Sequence, residues 1–174
     1  MSLGLLLLLL SFQTNAAPLP MTGSSAINQI QSGIALSQMG FKLQKFPISW
    51  ELKKPLDSDS LTLDIGPINP QSKAHISFKT ETVSVKTDLE KYVRQYLRDY
   101  NQYGFEVIGL QSLKKSSLNS VIVDLNQKNK VTRSRQVFYK KEDKIVSATC
   151  IDEFEPFNKT ILICNSILET FQWR

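Results

Sequence analysis

Four strand-like segments joined by very short connections dominate the middle of this 174-residue chain. They span residues 105–113, 118–126, 130–140 and 144–151. A parallel pair of strands needs a crossover of a dozen or more residues, whereas an antiparallel pair needs only a short turn. The segments are therefore predicted to form an antiparallel meander, and the spacing argues against a doubly wound parallel sheet.

Three segments nearer the N-terminus also have strand character. Residues 41–53 have strand-like composition, and Pro47 indicates either an edge strand or an interruption. Residues 61–65 alternate apolar with polar side chains, and residues 76–85 begin in the same way. These segments add strands to the sheet that the meander begins.

Two helices are predicted, one before the meander and one after it. Thr87-Asp88-Leu89-Glu90 matches a capping box, in which a threonine hydroxyl and a glutamate carboxylate each accept from an unpaired amide. Apolar residues then recur at helical spacing as far as Tyr100, and Gly104 indicates the end. The second helix spans residues 155–171 and has one apolar face, formed by Phe157, Ile161, Cys164, Leu168 and Phe171. We expect that face to pack against the sheet.

The first of these helices carries most of the tyrosines. Four of the five tyrosines in the chain are Tyr92, Tyr96, Tyr100 and Tyr103. Such side chains can cover a sheet with their rings and keep their hydroxyls at its rim, which is the interpretation we favour. The alternative is a platform on which a ligand stacks.

The N-terminus has the features of a secretory signal. Six consecutive leucines, Leu5 to Leu10, precede polar residues and then Ala16-Ala17, a small-residue cleavage site. The apolar run is too short to span a membrane, which needs about 20 residues. We expect a signal peptide over residues 1–16, a loosely packed arm over 17–40 and a single domain over 41–174. The mature protein is then periplasmic or secreted.

Cys150 and Cys164 are the only cysteines in the chain. Their spacing excludes a redox CxxC pair, and two cysteines are too few for a structural zinc site. In an exported protein such a pair is expected to form a disulfide, here between the last strand of the meander and the inner face of the final helix. The alternative is two separate buried thiols.

Basic residues concentrate between residues 114 and 144, although the net charge of the whole chain is only +5. This stretch predicts a surface for an acidic protein partner or for peripheral contact with an anionic membrane. The alternative is that the lysines occupy turns and the solvent-exposed side of the sheet, where they keep strands soluble. No nucleic-acid-binding motif is present. The candidate patch consists of Lys128, Lys130, Arg133, Arg135, Lys140 and Lys141.

Motifs for catalysis are absent from the sequence. His75 is the only histidine, which leaves no multi-histidine metal site, and no G-x-S-x-G motif accompanies it. We interpret His75 as an ordinary strand residue. The glycines form neither a phosphate-binding loop nor a dinucleotide fingerprint. We therefore expect no cofactor, no metal and no enzymatic activity, although a pair of carboxylates for hydrolysis stays open among the scattered acidic residues.

Two short motifs give the chain a resemblance to a known family. Residues 46–50, Phe-Pro-Ile-Ser-Trp, look like the proline–tryptophan start of the PsbP-like fold family, and residues 167–171, Ile-Leu-Glu-Thr-Phe, look like its closing helix. The family includes photosystem oxygen-evolving subunits, a Ran-GTPase-binding protein and DcrB-type periplasmic proteins. The resemblance covers Gly40 to Trp173 and implies an α+β fold, a three-layer α/β/α sandwich around a twisted antiparallel sheet. The cysteine pair and the uncharged arm depart from the family pattern.

The resemblance also implies a protein that binds others without catalysing a reaction. Our leading hypothesis is an exported, non-enzymatic binding or accessory protein of the cell envelope, with an unknown protein partner and a monomeric state. The alternatives are a chaperone-like protein that holds apolar segments of exported or membrane proteins, and a secreted hydrolase built on His75 or paired carboxylates. Because one fold serves many functions, no functional residue is transferred from the family.

Overall fold

The computed structural model describes residues 39–44, 47–53, 62–115 and 118–174. The predicted signal peptide, nearly all of the predicted arm and Phe46 lie outside these residues. The described elements are β1 (Phe41–Leu43), β2 (Trp50–Leu52), β3 (Thr62–Pro67), β4 (His75–Thr82), α1 (Leu89–Tyr96), β5 (Phe105–Lys115), β6 (Leu118–Gln127), β7 (Thr132–Lys141), β8 (Lys144–Glu153), α2 (Phe157–Leu168) and β9 (Phe171–Trp173).

An antiparallel sheet of seven strands organises the described residues. Its strand order is β2-β3-β4-β8-β7-β6-β5, and every neighbouring pair is antiparallel. The predicted meander of β5 to β8 is confirmed, and β8 also pairs with β4. Together with the two described helices, this sheet places the chain in the α+β class.

The segment 41–53 is two strands in different sheets, so of the two predicted possibilities Pro47 is an interruption. The chain turns at Pro47, whose carbonyl accepts from the Trp50 amide at 3.0 Å. Proline lacks an amide hydrogen and cannot continue a strand ladder. As a result β2 joins the edge of the large sheet, while β1 pairs with β9.

The last helix is shorter than predicted. It ends at Leu168, and Phe171 belongs to β9, where it pairs with Leu43. The Phe171 ring stacks on Tyr139 with centroids 4.0 Å apart and on Phe41 at 5.1 Å. These aromatic contacts with residues distant in sequence, together with pairing to β1, favour a strand over a helix at the C-terminus.

The start and end of α1 also differ from the prediction. Asp88, not Thr87, caps the helix, because its Oδ1 accepts from the Lys91 amide at 2.8 Å. Glu90 does not complete a capping box, since its carboxylate binds Arg94 and Ser112. The helix ends at Tyr96, and turns then lead to a left-handed glycine at position 104 with φ of 83°.

Two apolar clusters pack against opposite sides of the sheet. Neighbouring side chains of a strand point to opposite sides, so Val137 and Tyr139 join the α2 cluster while Phe138 joins the α1 cluster. We call these sides the α2 face and the α1 face. The α2 cluster is the larger and also receives β1 and β9. No helix in the described part of the chain is long and apolar enough to cross a membrane.

A disulfide ties the sheet to α2. Cys150 on β8 and Cys164 on α2 are bonded, with Cα atoms 6.2 Å apart, and both side chains are fully buried. The predicted pairing is confirmed. The bond joins residues 14 positions apart, so it fixes α2 directly over the strand that precedes it.

Removal of this bond should lower the free energy of unfolding. Closing a loop of about 15 residues contributes about 3 kcal/mol in the chain-entropy model. We expect the double variant Cys150→Ala, Cys164→Ala to lose about that amount in urea denaturation monitored by circular dichroism. A reducing agent should destabilise the wild type similarly and leave the variant unchanged. The prediction would be contradicted if the wild type kept its free energy of unfolding under conditions where mass spectrometry shows that the thiols are free.

Candidate functional site

A groove runs along the α2 face between α2 and the β5 side of the sheet. It forms because α2 packs mainly on β7 and β8, so that β5 and part of β6 lack a covering helix on this face. Its volume is about 340 Å³. The lining residues are Leu113, Leu118, Ser120, Ile122, Arg135, Val137, Tyr139, Asn165, Leu168 and Glu169.

The floor of the groove is mostly apolar at one end. Leu113 lies opposite Ser120, which lies opposite Tyr139, so these three residues form one row across the sheet. Ile122 and Val137 form the next row. Leu113 and Ile122 are only half-buried, so part of the apolar floor is open to solvent.

The wall of the groove is held by a hydrogen bond and by aromatic packing. The Tyr139 hydroxyl donates to the Leu168 carbonyl at 3.4 Å, near the C-terminal end of α2. Burial raises the pKa of Tyr139 well above its ordinary value, so the hydroxyl keeps its proton and stays a donor. The same ring stacks on Phe171. The groove wall is therefore continuous with the main apolar cluster.

An ion pair occupies the other end of the groove. Arg135 donates from Nε and Nη2 to the two carboxylate oxygens of Asp124, at 2.7 and 2.9 Å, and from Nη1 to Asn165 on α2 at 3.2 Å. The hydrogen bonds to Asp124 raise the pKa of Arg135. The two side chains are 27% and 25% exposed. The charge of Arg135 is thus largely neutralised within the protein.

Arg133 lies on the same face as Arg135 but outside the groove. Its guanidinium carbon is 5.4 Å from the centroid of the Phe157 ring, and its Nη1 donates to Asn158 at 3.2 Å. Its Nε is buried and finds no hydrogen-bond partner among the described residues. Both arginines of the candidate patch therefore hold α2 on the sheet.

The four lysines of the candidate patch lie at the two ends of β7. Lys128 and Lys130 are in the turn before the strand, whereas Lys140 and Lys141 end it. A strand of ten residues separates the two pairs by about 30 Å. The structure therefore does not bring the six residues of the patch together in one place.

Three of these four lysines also contact backbone carbonyls. Lys128 donates to the carbonyl of residue 101 at 3.2 Å, Lys140 to that of residue 85 at 3.0 Å, and Lys141 to that of residue 174 at 3.2 Å. Such contacts agree with the interpretation of the lysines as residues of turns and strand ends. Binding to an acidic partner stays a prediction.

His75 borders a second cavity, of about 710 Å³, at the other end of the sheet. Its Nδ1 lies 3.1 Å from the carbonyl of Lys73. The buried Asp152 also borders the cavity, but its carboxylate accepts from the Thr160 hydroxyl and from the Glu153 amide. No hydrogen bond joins His75 to a carboxylate in the part of the chain that the structure describes. The described residues of this cavity therefore do not form the acid–base pair that the hydrolase hypothesis requires.

The described residues likewise form no metal-binding site. Within the described ranges, no group of three histidine, cysteine, aspartate or glutamate side chains is close enough to hold an ion. Asp124 is instead paired with Arg135, and Asp152 accepts from the Thr160 hydroxyl.

The tyrosines of α1 cover the α1 face as predicted. The Tyr92 and Tyr96 rings pack edge-on against Phe138, at 6.5 and 5.3 Å, and the Tyr92 hydroxyl donates to Glu81 at 2.7 Å. The pKa of both tyrosines is raised, mainly by burial and secondly by hydrogen bonding. The remaining two, Tyr100 and the exposed Tyr103, border a small cavity of about 310 Å³.

Sequence reasoning missed the groove beside α2. A signal for it exists in β6, where Val121-Ile122-Val123 places apolar side chains on both faces of the sheet. The α1 face uses Val121 and Val123. Ile122 then needs apolar neighbours on the other face, where α2 covers only part of the area. Such an apolar run indicates a strand with apolar neighbours on both faces, but it does not indicate which part of a face stays exposed to solvent.

A double-mutant cycle can measure how strongly the ion pair of the groove contributes to stability. Arg135→Leu or Asp124→Leu alone leaves a half-buried charge without its partner, so the double variant should lose less than the sum of the single losses. We expect a coupling energy of about 1–2 kcal/mol in urea denaturation.

The more exposed pair of Lys79 and Glu81 provides the control, because the cycle cancels the separate hydrogen bond from Tyr92 to Glu81. Its side chains are 59% and 35% exposed. Solvent screens such a pair, so its coupling energy should be at most about 0.5 kcal/mol. Equal coupling energies for the two pairs would show that the ion pair of the groove is no more than a surface contact.

Comparison with known proteins gives similarity in fold alone. No protein-family model matches the sequence, and the comparison with curated proteins found no significant match. Among solved structures, the cyanobacterial PsbP, CyanoP, from Synechocystis sp. PCC 6803 has a TM-score of 0.60 at 9% identity and covers 82% of this chain and 95% of its own.

Two further structures agree with this comparison. The protein PA94 from Pseudomonas aeruginosa has a TM-score of 0.57 at 13% identity, over 72% of this chain and 97% of its own. LpqN of Mycobacterium tuberculosis, described as involved in cell envelope biogenesis, has a TM-score of 0.56 at 15% identity, over 76% and 82%. The resemblance seen in the sequence is confirmed: this chain has the PsbP-like fold.

Proposed function

We propose that this chain is an exported, non-enzymatic binding or accessory protein of the cell envelope, and that the groove beside α2 receives its partner. One observation carries the proposal. The groove has an apolar floor that is open to solvent, while its Arg135 charge is already paired with Asp124. Burial of apolar surface favours association without any reacting group.

Two observations support export. Residues 1–16 have the composition of a secretory signal, and we propose cleavage near Ala16. One protein of similar fold is described as involved in cell envelope biogenesis. The three-layer α/β/α arrangement of the family and the domain limits of 41–174 belong to the same proposal.

The partner is proposed to be a protein that presents an apolar segment. The groove is walled by α2 and floored by half-buried leucine and isoleucine side chains, which suit aliphatic or aromatic side chains of a partner. The turn lysines Lys128 and Lys130 are exposed. They are free to attract an acidic flank of the partner or an anionic membrane surface at long range, and this attraction should weaken with salt. Nucleic acid has no place in the proposal.

A chaperone-like protein is the second candidate. It is favoured by the same open strands, because half-buried Leu113, Leu118 and Ile122 form a strip that any apolar segment can contact. The two candidates differ in selectivity. An accessory protein binds one partner, whereas a chaperone binds many unfolded chains of unrelated sequence.

Photo-crosslinking within the producing cells can test both candidates. A photoreactive amino acid replaces Glu169, an exposed residue at the groove directly after α2, or Leu162, which is 68% exposed on the outer side of α2. We expect adducts from position 169 and none from position 162. One discrete adduct favours the accessory protein, and many adducts favour the chaperone.

Two outcomes would overturn the proposal. Equal adducts from positions 169 and 162 would show that contacts on α2 are unspecific. The absence of adducts at position 169, with the protein correctly folded and exported, would show that the groove has no protein partner.

A further inference from the structure

Among the described strands, β5 is a long edge strand with one neighbour. It has 11 residues and pairs with β6, whereas β2 at the opposite edge of the sheet has three residues. An edge strand presents unpaired amides and carbonyls along its outer side. The length of β5 therefore creates the largest open row of backbone hydrogen-bonding groups among the described strands.

The middle of β5 lacks the usual protection against pairing. Natural edge strands are shielded by charges, by proline, by short length or by bulges. The seven residues from Val107 to Leu113 contain neither charge nor proline. The strand does have a bulge, because Ile108 has no partner on β6, but the bulge lies near the start and leaves residues 109–115 in regular register. Residues 109–113 are thus both uncharged and in regular register.

Exposed apolar side chains lie at the start of β5. Val107 and Ile108 are each 42% exposed, and Tyr103, just before the strand, is 73% exposed. They form an apolar stretch beside the open backbone. Exposed apolar groups next to an unpaired edge are typical of a surface that another strand covers.

The charges of β5 are complementary to those of a second copy. Glu106 lies at one end of the strand, and Lys114 and Lys115 lie at the other. An antiparallel second copy brings each acidic end beside a basic end, whereas a parallel copy places like charges together. Antiparallel pairing also produces a two-fold interface, in which both subunits use the same surface.

The positions along β5 also indicate a register. With Gln111 at the two-fold axis, Leu110 lies opposite Ser112 of the second copy, and Gly109 lies opposite Leu113. Each pair combines residues of one face, as the alternation of the sheet requires. Because Ile108 is an extra residue in the bulge, the pairing shifts by one position beyond it, and position 106 lies opposite position 115 of the second copy.

We propose that the protein forms a two-fold dimer through antiparallel pairing of β5 with β5 of a second copy, centred on Gln111. The seven-stranded sheets then join into one sheet of fourteen strands. The monomer expected from sequence is the dissociated form. This inference is independent of the groove as a binding site and goes beyond the proposed function.

Charge variants at the two-fold axis test the dimer. Gln111 is exposed, so Gln111→Lys and Gln111→Glu should leave the fold intact. Each variant places like charges opposite each other at the axis, which opposes pairing. Gln172→Lys, at an exposed glutamine of β9, makes the same charge change away from β5.

Sedimentation velocity of the mature chain over about a hundredfold range of concentration gives the measurement. We expect wild type and Gln172→Lys to dimerise alike and both Gln111 variants to dissociate about tenfold more readily. An equimolar mixture of Gln111→Lys and Gln111→Glu should regain the dimer. A monomeric wild type throughout the range would overturn the proposal, as would a dimer unaffected by the Gln111 substitutions.

Discussion

Strand β8 is the element on which the rest of the structure depends. It pairs with β4 over eight residues and with β7 over ten, so it joins the N-terminal strands to the meander. Its side chains alternate between the two faces: Ile145 packs under α1, whereas Val146, Ala148 and Cys150 pack under α2. Both apolar clusters therefore include this strand, and its disulfide adds a covalent link on the side of the larger cluster.

The disulfide determines where the open part of the sheet lies. Because Cys164 is bonded to β8, α2 is held over β8 and β7 and cannot move outwards to cover β6 and β5. Arg135 reinforces this position through Asn165, and Tyr139 does so through the Leu168 carbonyl. The groove is a consequence of this placement. A covalent bond that serves stability thus also shapes the surface to which we assign binding.

Local patterns allowed most of the fold to be predicted from the sequence. The meander follows from alternation and from the short connections between its strands, such as the turn at Glu142-Asp143, where Glu142 is in the left-handed region at φ of 51°. The strand pair β1 and β9 was missed because Phe41 and Trp173 are brought together only by the complete core. No local pattern in either segment indicates such a partner.

The site was less predictable than the fold, for a related reason. The number of basic residues along β7 suggested one patch. However, its lysines lie at opposite ends of a ten-residue strand, and Arg135 forms an ion pair with Asp124. Exposure of Leu113 and Ile122 depends on how far α2 reaches across the sheet, which is a property of packing. The disulfide was predictable because two cysteines in a chain that is predicted to be exported leave few alternatives.

Hydrogen exchange with the disulfide intact and reduced tests the central claim, that the bond between β8 and α2 holds the groove wall in place. Reduction should speed amide exchange in α2 and β9 more than in β7, β8 and α1, because the lower global stability reduces protection everywhere, whereas only α2 and β9 also lose a local tether. Equal loss of protection in α1 and α2, or no change in α2, would contradict the account.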